Sequence, residues 1–308
     1  NSNLRVLKPL QSPLHYLNDV VGKISQLKRE YITPEKFEVI LESEEQRIAQ
    51  EVAEYWEAQT QAAQLGKKAK TKLSATLLKK QRDLLKQKEL YTVYVKYESE
   101  LNKRKRYDFD DMILFVITAF SEDEELLLDY QERFQYIVVD EYQDTNASQN
   151  KILQLLCSFW EEKPNIFVVG DPHQAIFRFQ GASVHNMIEF AQTYPELETI
   201  TLTTGYRCHQ ELYDAAHELI QNNQLALTVS DKHVQSVLQT AVQHKLTSVK
   251  KSNKDTVIEF FQAEREVMEL VFVVQKIQQL ADSGVPLKEI AVLYRGNKEA
   301  AAIGDLLE

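Results

Sequence analysis

The spacing of apolar residues separates the first third of the chain from the rest. In residues 1–106, apolar positions recur every three or four residues, as they do between Leu14 and Ile24, and this period predicts amphipathic helices. Thr33 followed by Pro34 is typical of a helix start, because Thr accepts a backbone hydrogen bond and Pro fits the first helical turn. The first 106 residues therefore read as an all-helical region.

Short apolar runs alternate with helical patterns in the remaining two thirds. The runs that predict strands are residues 134–139, 165–169, 199–203, 257–261 and 289–294. The segments that predict helices are residues 147–160, 183–194, 209–221, 264–280 and 298–307. This alternation favours a parallel sheet with crossover helices, and the continuous apolar character of the first two runs is typical of buried parallel strands. The predicted fold class is α/β, with a second α/β domain starting in the last hundred residues.

Composition narrows the classes of protein. The 308 residues are 44% hydrophobic and 27% charged, which is typical of globular proteins with a buried core, and the length favours two or three domains. No apolar run reaches the roughly 20 residues of a membrane span, and a signal-peptide pattern is lacking. Cys157 and Cys208 form neither a disulfide framework nor a zinc motif, so we expect a reducing, cytoplasmic location.

Charge is distributed unevenly along the chain. The net charge is −10, yet the segment from Gly66 to Arg106 holds fourteen Lys and Arg residues against four Asp and Glu residues. A basic segment on an acidic protein is compatible with a nucleic-acid contact. The alternative is a solvated helix face, and charge alone does not decide between the two.

Polar side chains follow three of the predicted strands, where open parallel sheets bind their ligands. Asp140 and Glu141 follow the first strand, and such a pair suits nucleotide hydrolysis, with Asp holding Mg²⁺ and Glu orienting or deprotonating a water. Gln174 follows the second strand and can hydrogen-bond a terminal phosphate or the attacking water. Arg207 follows the third and can stabilise developing phosphate charge. The alternatives are surface acids at a strand end and an ordinary salt bridge.

Two aromatic residues stand close together after the second predicted strand. Phe177 and Phe179 flank Arg178 and precede Gln180. Aromatic side chains in a non-strand segment can stack on exposed bases, which contributes about 1–3 kcal/mol per base. Packing in the hydrophobic core is the alternative.

Four motifs in a fixed order carry a family resemblance. They are YDFDDM at 107–112, VVDEYQDTN at 138–146, VGDPHQAIFRFQGA at 169–182 and LTTGYRC at 202–208, with a weaker echo, IAVLYR, at 290–295. On these motifs the chain resembles the UvrD/Rep-type superfamily 1 DNA helicases over nearly its whole length, faintly before Tyr107. The resemblance implies a helical subdomain (1–106), the later part of a RecA-like motor domain with a parallel sheet (107–204), and the start of a second RecA-like domain (205–308).

The resemblance also implies roles in ATP hydrolysis. Asp140 and Glu141 match the family's Mg²⁺-binding and water-activating acids. Gln174 matches the glutamine that links the γ-phosphate to the DNA site, and Arg207 matches the arginine that contacts the γ-phosphate. ATP and Mg²⁺ are the implied cofactors.

DNA contacts are implied by the same resemblance. Phe177 and Phe179 match the family's motif III aromatics, of which the second stacks on a base of the single strand, and Gln180 stands where Arg is frequent. The helical subdomain would place the basic segment against DNA phosphates, which makes binding strongly salt-dependent. Single-stranded and junction DNA are the implied partners.

The sequence also departs from the family pattern. The phosphate-binding loop, Gly-x-x-x-x-Gly-Lys-Ser/Thr, is not present, and neither are the family's last motifs. We therefore expect an internal fragment of a longer helicase that is inactive alone and whose exposed sheet edge favours association. Gly205, Cys208, Phe179 and the pair 172–173 differ from the commonest family residues, which suggests a divergent branch.

Three functional hypotheses follow. The first is an ATP-dependent DNA helicase or translocase that moves 3′ to 5′ by family analogy and binds ATP between two motor domains. The second is a non-catalytic single-stranded-DNA-binding or protein-interaction module with a degenerate helicase fold. The third is a helicase–nuclease subunit with a nuclease domain further along the chain.

Overall fold

A computed structural model of the chain describes residues 7, 14–65, 68, 70–160, 163–175, 184–194, 196–222, 245–250, 258–294 and 297–307. These residues form two compact units. Unit 1 extends to Leu202, and unit 2 comprises the described residues from Thr203 onwards.

Unit 1 is mostly helical and carries one small sheet. Its helices are α1 (Leu17–Arg29), α2 (Pro34–Gln64), α3 (Ala75–Lys103), α4 (Phe109–Glu122), α5 (Glu124–Arg133), α6 (Ala147–Cys157) and α7 (Val184–Thr193). Short 3₁₀ turns cover Tyr142–Asp144, Ser158–Trp160 and Pro172–Gln174. Strands β1 (Ile137–Val139) and β2 (Ile166–Val168) pair in parallel, with Ile137 opposite Ile166. The predicted helices of this region and the first two predicted strands are confirmed, with shorter strands than the apolar runs suggested.

Helices α2 and α3 form an antiparallel hairpin. Its direction follows from two ion pairs, since Lys80 contacts Glu51 and the later Lys88 contacts the earlier Glu45. Helix α1 packs on the hairpin through a buried apolar cluster, which consists of Ile24, Phe37, Leu41 and Tyr94. The three- and four-residue periodicity thus corresponds to the apolar seam between these helices.

Short polar side chains cap the starts of several helices of unit 1. The side chain of Thr33 accepts a hydrogen bond from the Lys36 amide at the start of α2, as the sequence predicted, and Pro34 is the first helical residue. Ser74 caps α3, and Asn146 caps α6. Asp108 and Asp111 form a reciprocal capping box at the start of α4, because each side chain accepts from the other's backbone amide.

Unit 2 contains a second small sheet and three helices among its described residues. Strands β3 (Thr204–Gly205) and β4 (Thr247–Ser248) pair in parallel. The helices are α8 (Gln210–Ile220), α9 (Glu266–Asp282) and α10 (Asn297–Leu307), with a 3₁₀ turn at Leu287–Glu289 before α10. The whole is a helix-rich α/β fold, and no helix within the described ranges is long and apolar enough to cross a membrane.

Three predicted strands are wrong. Residues 199–203 are not a strand; β3 forms just after them and pairs with β4 rather than with β2. The described parts of 257–261 and 289–294 carry no strand either. A strand requires a neighbour that completes its backbone hydrogen bonds, and an apolar run does not reveal one. Ile200 and Leu202 are 70% and 73% exposed, so no sheet layer covers them among the described residues.

Candidate active site

The candidate site lies at the carboxyl ends of β1 and β2. Asp140 and Glu141 follow β1 directly, and the segment 170–174 follows β2. The amide of Tyr142 donates a 2.9 Å hydrogen bond to the carbonyl of Val169, which continues the pairing of the two chains beyond the strands. Parallel pairing therefore brings two distant motifs to the same edge of the sheet, as ligand sites of α/β folds require.

Glu141 has an unusual backbone. Its φ of 50° lies in the left-handed region, which few residues other than glycine adopt. The amide of Glu141 donates a 2.9 Å hydrogen bond to Oδ1 of Asp140, and both carboxylates are exposed to solvent. Strained backbone of this kind clusters at functional sites, where the surrounding structure holds it in place.

The buried side chain of Gln143 links the segments that follow the two strands. This side chain is 1% exposed. Nε2 donates to Oε2 of Glu141 at 2.6 Å, and Oε1 accepts from the amide of Asp171 at 3.0 Å. Gly170 permits this approach, since a Cβ at that position would lie 2.8 Å from Oε1 of Gln143.

Asp171 carries the network on to Gln174. Its Oδ2 accepts from Nε2 of Gln174 at 2.9 Å, and its Oδ1 accepts from the amide of His173 at 2.9 Å. The structure thus places Glu141 and Gln174 in one hydrogen-bonded path through Gln143 and Asp171. Gln143 and Asp171 were not predicted as site residues from the sequence, although both belong to the motifs that carry Glu141 and Gln174.

A buried polar cluster supports the turn after Glu141. The hydroxyl of Tyr142 donates to Oδ1 of Asn150 at 2.6 Å, and Nδ2 of Asn150 donates to the hydroxyl of Thr145 at 3.1 Å. From α7, Nδ2 of Asn186 donates to the carbonyl of Thr145 at 2.6 Å. Burial raises the pKa of Tyr142 well above its ordinary value, so its hydroxyl stays protonated and able to donate. The turn that carries Glu141 and Gln143 is consequently fixed to α6 and α7.

Arg207 belongs to unit 2, where polar contacts hold its backbone. Its carbonyl accepts from Nζ of Lys250 at 2.6 Å, and the carbonyl of Cys208 accepts from the hydroxyl of Ser248 at 2.7 Å. The Arg207 side chain is exposed and forms no ion pair with any residue that the structure describes. The ordinary salt bridge that stood as the alternative is therefore not found within those residues.

The structure describes only some of the residues that were predicted to contact DNA. Phe177, Phe179 and Gln180 lie outside the described residues. In the basic segment, at least five of the fourteen cations are already paired with carboxylates, namely Lys80, Lys86, Lys88, Lys103 and Arg104. Ion pairs within the chain account for the charge of these five side chains, which favours the solvated-face alternative for them and leaves the role of the other nine cations open as a prediction.

The described residues contain no group of three or more His, Cys, Asp or Glu side chains that could hold a metal ion. The pair Asp140 and Glu141 still fits Mg²⁺, because this ion commonly binds one or two carboxylates and takes its other ligands from substrate phosphates and water. Asp140 uses Oδ1 for the amide of Glu141 and is exposed, so its carboxylate is accessible to an ion.

Comparison with known proteins identifies the class. Residues 10–195 match the UvrD/REP helicase N-terminal domain, and residues 200–308 match the UvrD-like helicase C-terminal domain. The chain belongs to the UvrD/REP helicase family. The resemblance carried by the four motifs is thereby confirmed.

Two similar curated proteins are both described as ATP-dependent DNA helicase PcrA. The chain is 35% identical to the Staphylococcus aureus protein over 212 residues, which are 69% of this chain and 26% of that protein. It is 33% identical to the Leuconostoc citreum protein over 222 residues, which are 72% of this chain and 27% of that protein. The matched region thus spans about a quarter of the length of these relatives.

Proposed function

We propose that the complete protein is an ATP-dependent DNA helicase or translocase and that this chain supplies part of its motor. The observation that carries the proposal is the hydrogen-bonded path from Glu141 to Gln174 at the ends of two parallel strands, in a chain of the UvrD/REP family. The PcrA relatives are described as ATP-dependent DNA helicases, which supports the same activity here.

Each polar residue has a proposed task in hydrolysis. Asp140 would hold Mg²⁺, and the ion would supply positive charge to the phosphate oxygens of ATP. Glu141 orients the attacking water and accepts its proton. Gln174 hydrogen-bonds the γ-phosphate, and Arg207 stabilises the charge that develops on it.

The proposal extends to domains and DNA. Residues 1–106 would be an inserted helical subdomain, 107–204 the later part of a RecA-like domain, and 205–308 the start of a second one. Phe177, Phe179 and Gln180 would contact single-stranded DNA, with Phe179 stacking on a base. Gln174 precedes these aromatics by only a few residues. A displacement of Gln174 when the γ-phosphate is bound or lost would therefore be transmitted to the segment that contacts single-stranded DNA.

The replacement Glu141→Gln tests the proposed hydrolysis in the complete protein. The amide keeps the shape of the side chain but cannot accept a proton, so we expect the DNA-stimulated ATPase rate to fall by about 100-fold or more. Nucleotide binding should persist, because the phosphate-contacting groups remain. The measurement is steady-state phosphate release with and without single-stranded DNA, together with binding of a fluorescent ATP analogue.

The matched control is Glu132→Gln, the same chemical change at an exposed position of α5. It should hydrolyse ATP at the wild-type rate. Wild-type protein without DNA-stimulated hydrolysis, or a Glu141→Gln variant as active as the control, would overturn the proposed function.

A further inference from the structure

We propose that Gln143 is a positioning residue for ATP hydrolysis. It orients the carboxylate of Glu141 and fixes the position of that carboxylate relative to the segment that carries Gln174. This inference rests on the proposed function and adds a residue that acts through Glu141 rather than on the substrate. Its basis is the pair of hydrogen bonds that one buried amide makes to two different motifs.

The orientation of the Glu141 carboxylate depends on Gln143. This exposed carboxylate stands on a left-handed residue, and the only side-chain donor that it has among the described residues is Nε2 of Gln143, at 2.6 Å. A general base works only when its carboxylate is held at a defined angle to the water. Without that bond, the side chain of Glu141 would be free to adopt other rotamers. The Gln143 amide therefore restricts the carboxylate on the side away from solvent.

Two hydrogen bonds fix the direction in which the Gln143 amide points. Oε1 accepts from the amide of Asp171, so Nε2 must face Glu141 and the amide cannot rotate by 180° without losing both bonds. Asp171 in turn holds the side chain of Gln174 through Oδ2. A shift of the segment 170–174 would thus be passed to Glu141 through a single rigid side chain.

Position 143 tolerates few alternatives. Asn is one methylene shorter and cannot span both partners. Met matches the volume but makes neither bond. Glu can accept from Asp171 but has no proton to give Glu141 when ionised, and it places a second negative charge beside that carboxylate. These three properties let the two bonds be separated experimentally.

The test compares Gln143→Met, Gln143→Glu and a control, Gln131→Met, in the complete protein. Gln131 is also a buried glutamine, 4% exposed, whose Nε2 donates to the carbonyl of Leu155 and to the hydroxyl of Ser158, away from the site. The readouts are kcat and KM for DNA-stimulated ATP hydrolysis, the thermal midpoint, and the affinity for single-stranded DNA without nucleotide.

We expect Gln143→Met to lower kcat by about 10- to 100-fold, the loss of a hydrogen bond to a charged group, with KM for ATP changed by less than about threefold. Gln131→Met should keep kcat while losing a similar amount of thermal stability. Gln143→Glu keeps an acceptor for the Asp171 amide but places a buried carboxyl beside Glu141, so we expect both a lowered thermal midpoint and, where that carboxyl is ionised, a low kcat.

The outcomes separate the two levels of the proposal. Wild-type protein that shows no DNA-stimulated hydrolysis overturns the proposed function and this inference with it. An active wild type in which Gln143→Met matches Gln131→Met overturns the inference alone. Wild-type kcat in Gln143→Glu at alkaline pH, where the new carboxyl is ionised and cannot donate to Glu141, would also overturn it, because Gln143 would then act only by anchoring the Asp171 backbone.

Discussion

At the residue scale, the ring of Tyr213 leaves no room for a side chain at position 205, which is glycine. A Cβ at position 205 would lie 2.3 Å from the ring of Tyr213. The hydroxyl of Tyr213 accepts a hydrogen bond from the amide of Cys208, next to Arg207, at 3.2 Å. Gly205 thus allows α8 to place an aromatic ring against β3 and to hold the backbone around Arg207.

Replacing Gly205 with Ala should destabilise unit 2. The added methyl overlaps the Tyr213 ring, and relieving such overpacking costs about 1–3 kcal/mol. Urea denaturation followed by circular dichroism measures the change. Gly22→Ala is the matched control, because nothing lies within 4 Å of a Cβ there and alanine suits helix α1, so its midpoint should not fall. Equal midpoints for the two variants would contradict the packing argument.

At the element scale, Lys28 links four helices. Its side chain is fully buried, and Nζ contacts Glu98 of α3 at 2.8 Å, Asp108 at the start of α4 at 2.7 Å and Asp111 of α4 at 2.5 Å. Its carbonyl accepts from the hydroxyl of Ser148 of α6 at 2.6 Å. The helical hairpin is therefore tied to the helices beside the candidate site through one residue of α1.

Lys28 is protonated at neutral pH. Burial alone would lower the pKa of Lys28, but hydrogen bonds to Asp108, Asp111 and Glu98 outweigh it and raise the pKa above its ordinary value of 10.5. Since the folded-state pKa exceeds the unfolded one, the resulting stabilisation is fully present below pH 10.5 and disappears only in stronger alkali.

Lys28→Met should lower the free energy of unfolding by about 3–5 kcal/mol at pH 7, because it leaves the buried carboxylate of Asp111 and two partly buried carboxylates without their cation. Lys23→Met, on the same helix, removes an exposed side chain that contacts only Gln26 among the described residues and should change the stability by less than about 0.5 kcal/mol. Chemical denaturation at pH 7 measures both. A small effect at position 28 would mean that the carboxylates find other partners.

At the scale of the whole molecule, local signals predicted more than long-range ones. The helices of unit 1 and the cap at Thr33 were predictable, since periodicity and capping depend on neighbours in sequence. The strand expected at 199–203 was not formed, because strand pairing depends on a distant partner. The contact of Gln143 with Asp171 could not be predicted from the sequence for the same reason. It depends on the register of β1 and β2 and on the absence of a Cβ at Gly170.

Exposed apolar surface predicts association of the chain when it is expressed alone. Phe109, Met112 and Val116 share one face of α4 by their spacing and are exposed, and on the sheet Val138 is 74% exposed. We expect concentration-dependent oligomers in size-exclusion chromatography with light scattering. Phe109→Glu should reduce them, whereas Leu65→Glu, at the tip of the α2–α3 hairpin, should not. A sharp monomer for the unmodified chain at all concentrations would refute this expectation.

At Glu141, the residue that best fits the left-handed backbone differs from the residue that the proposed chemistry needs. Holding an L-residue there costs about 1–2 kcal/mol that glycine would not incur, so backbone conformation alone favours glycine at position 141. The proposed chemistry requires a carboxylate at the same place. Glycine would relieve the backbone strain but would also leave Nε2 of the buried Gln143 without its acceptor, so it offers little net stability and removes hydrolysis, and selection for turnover retains the strained glutamate.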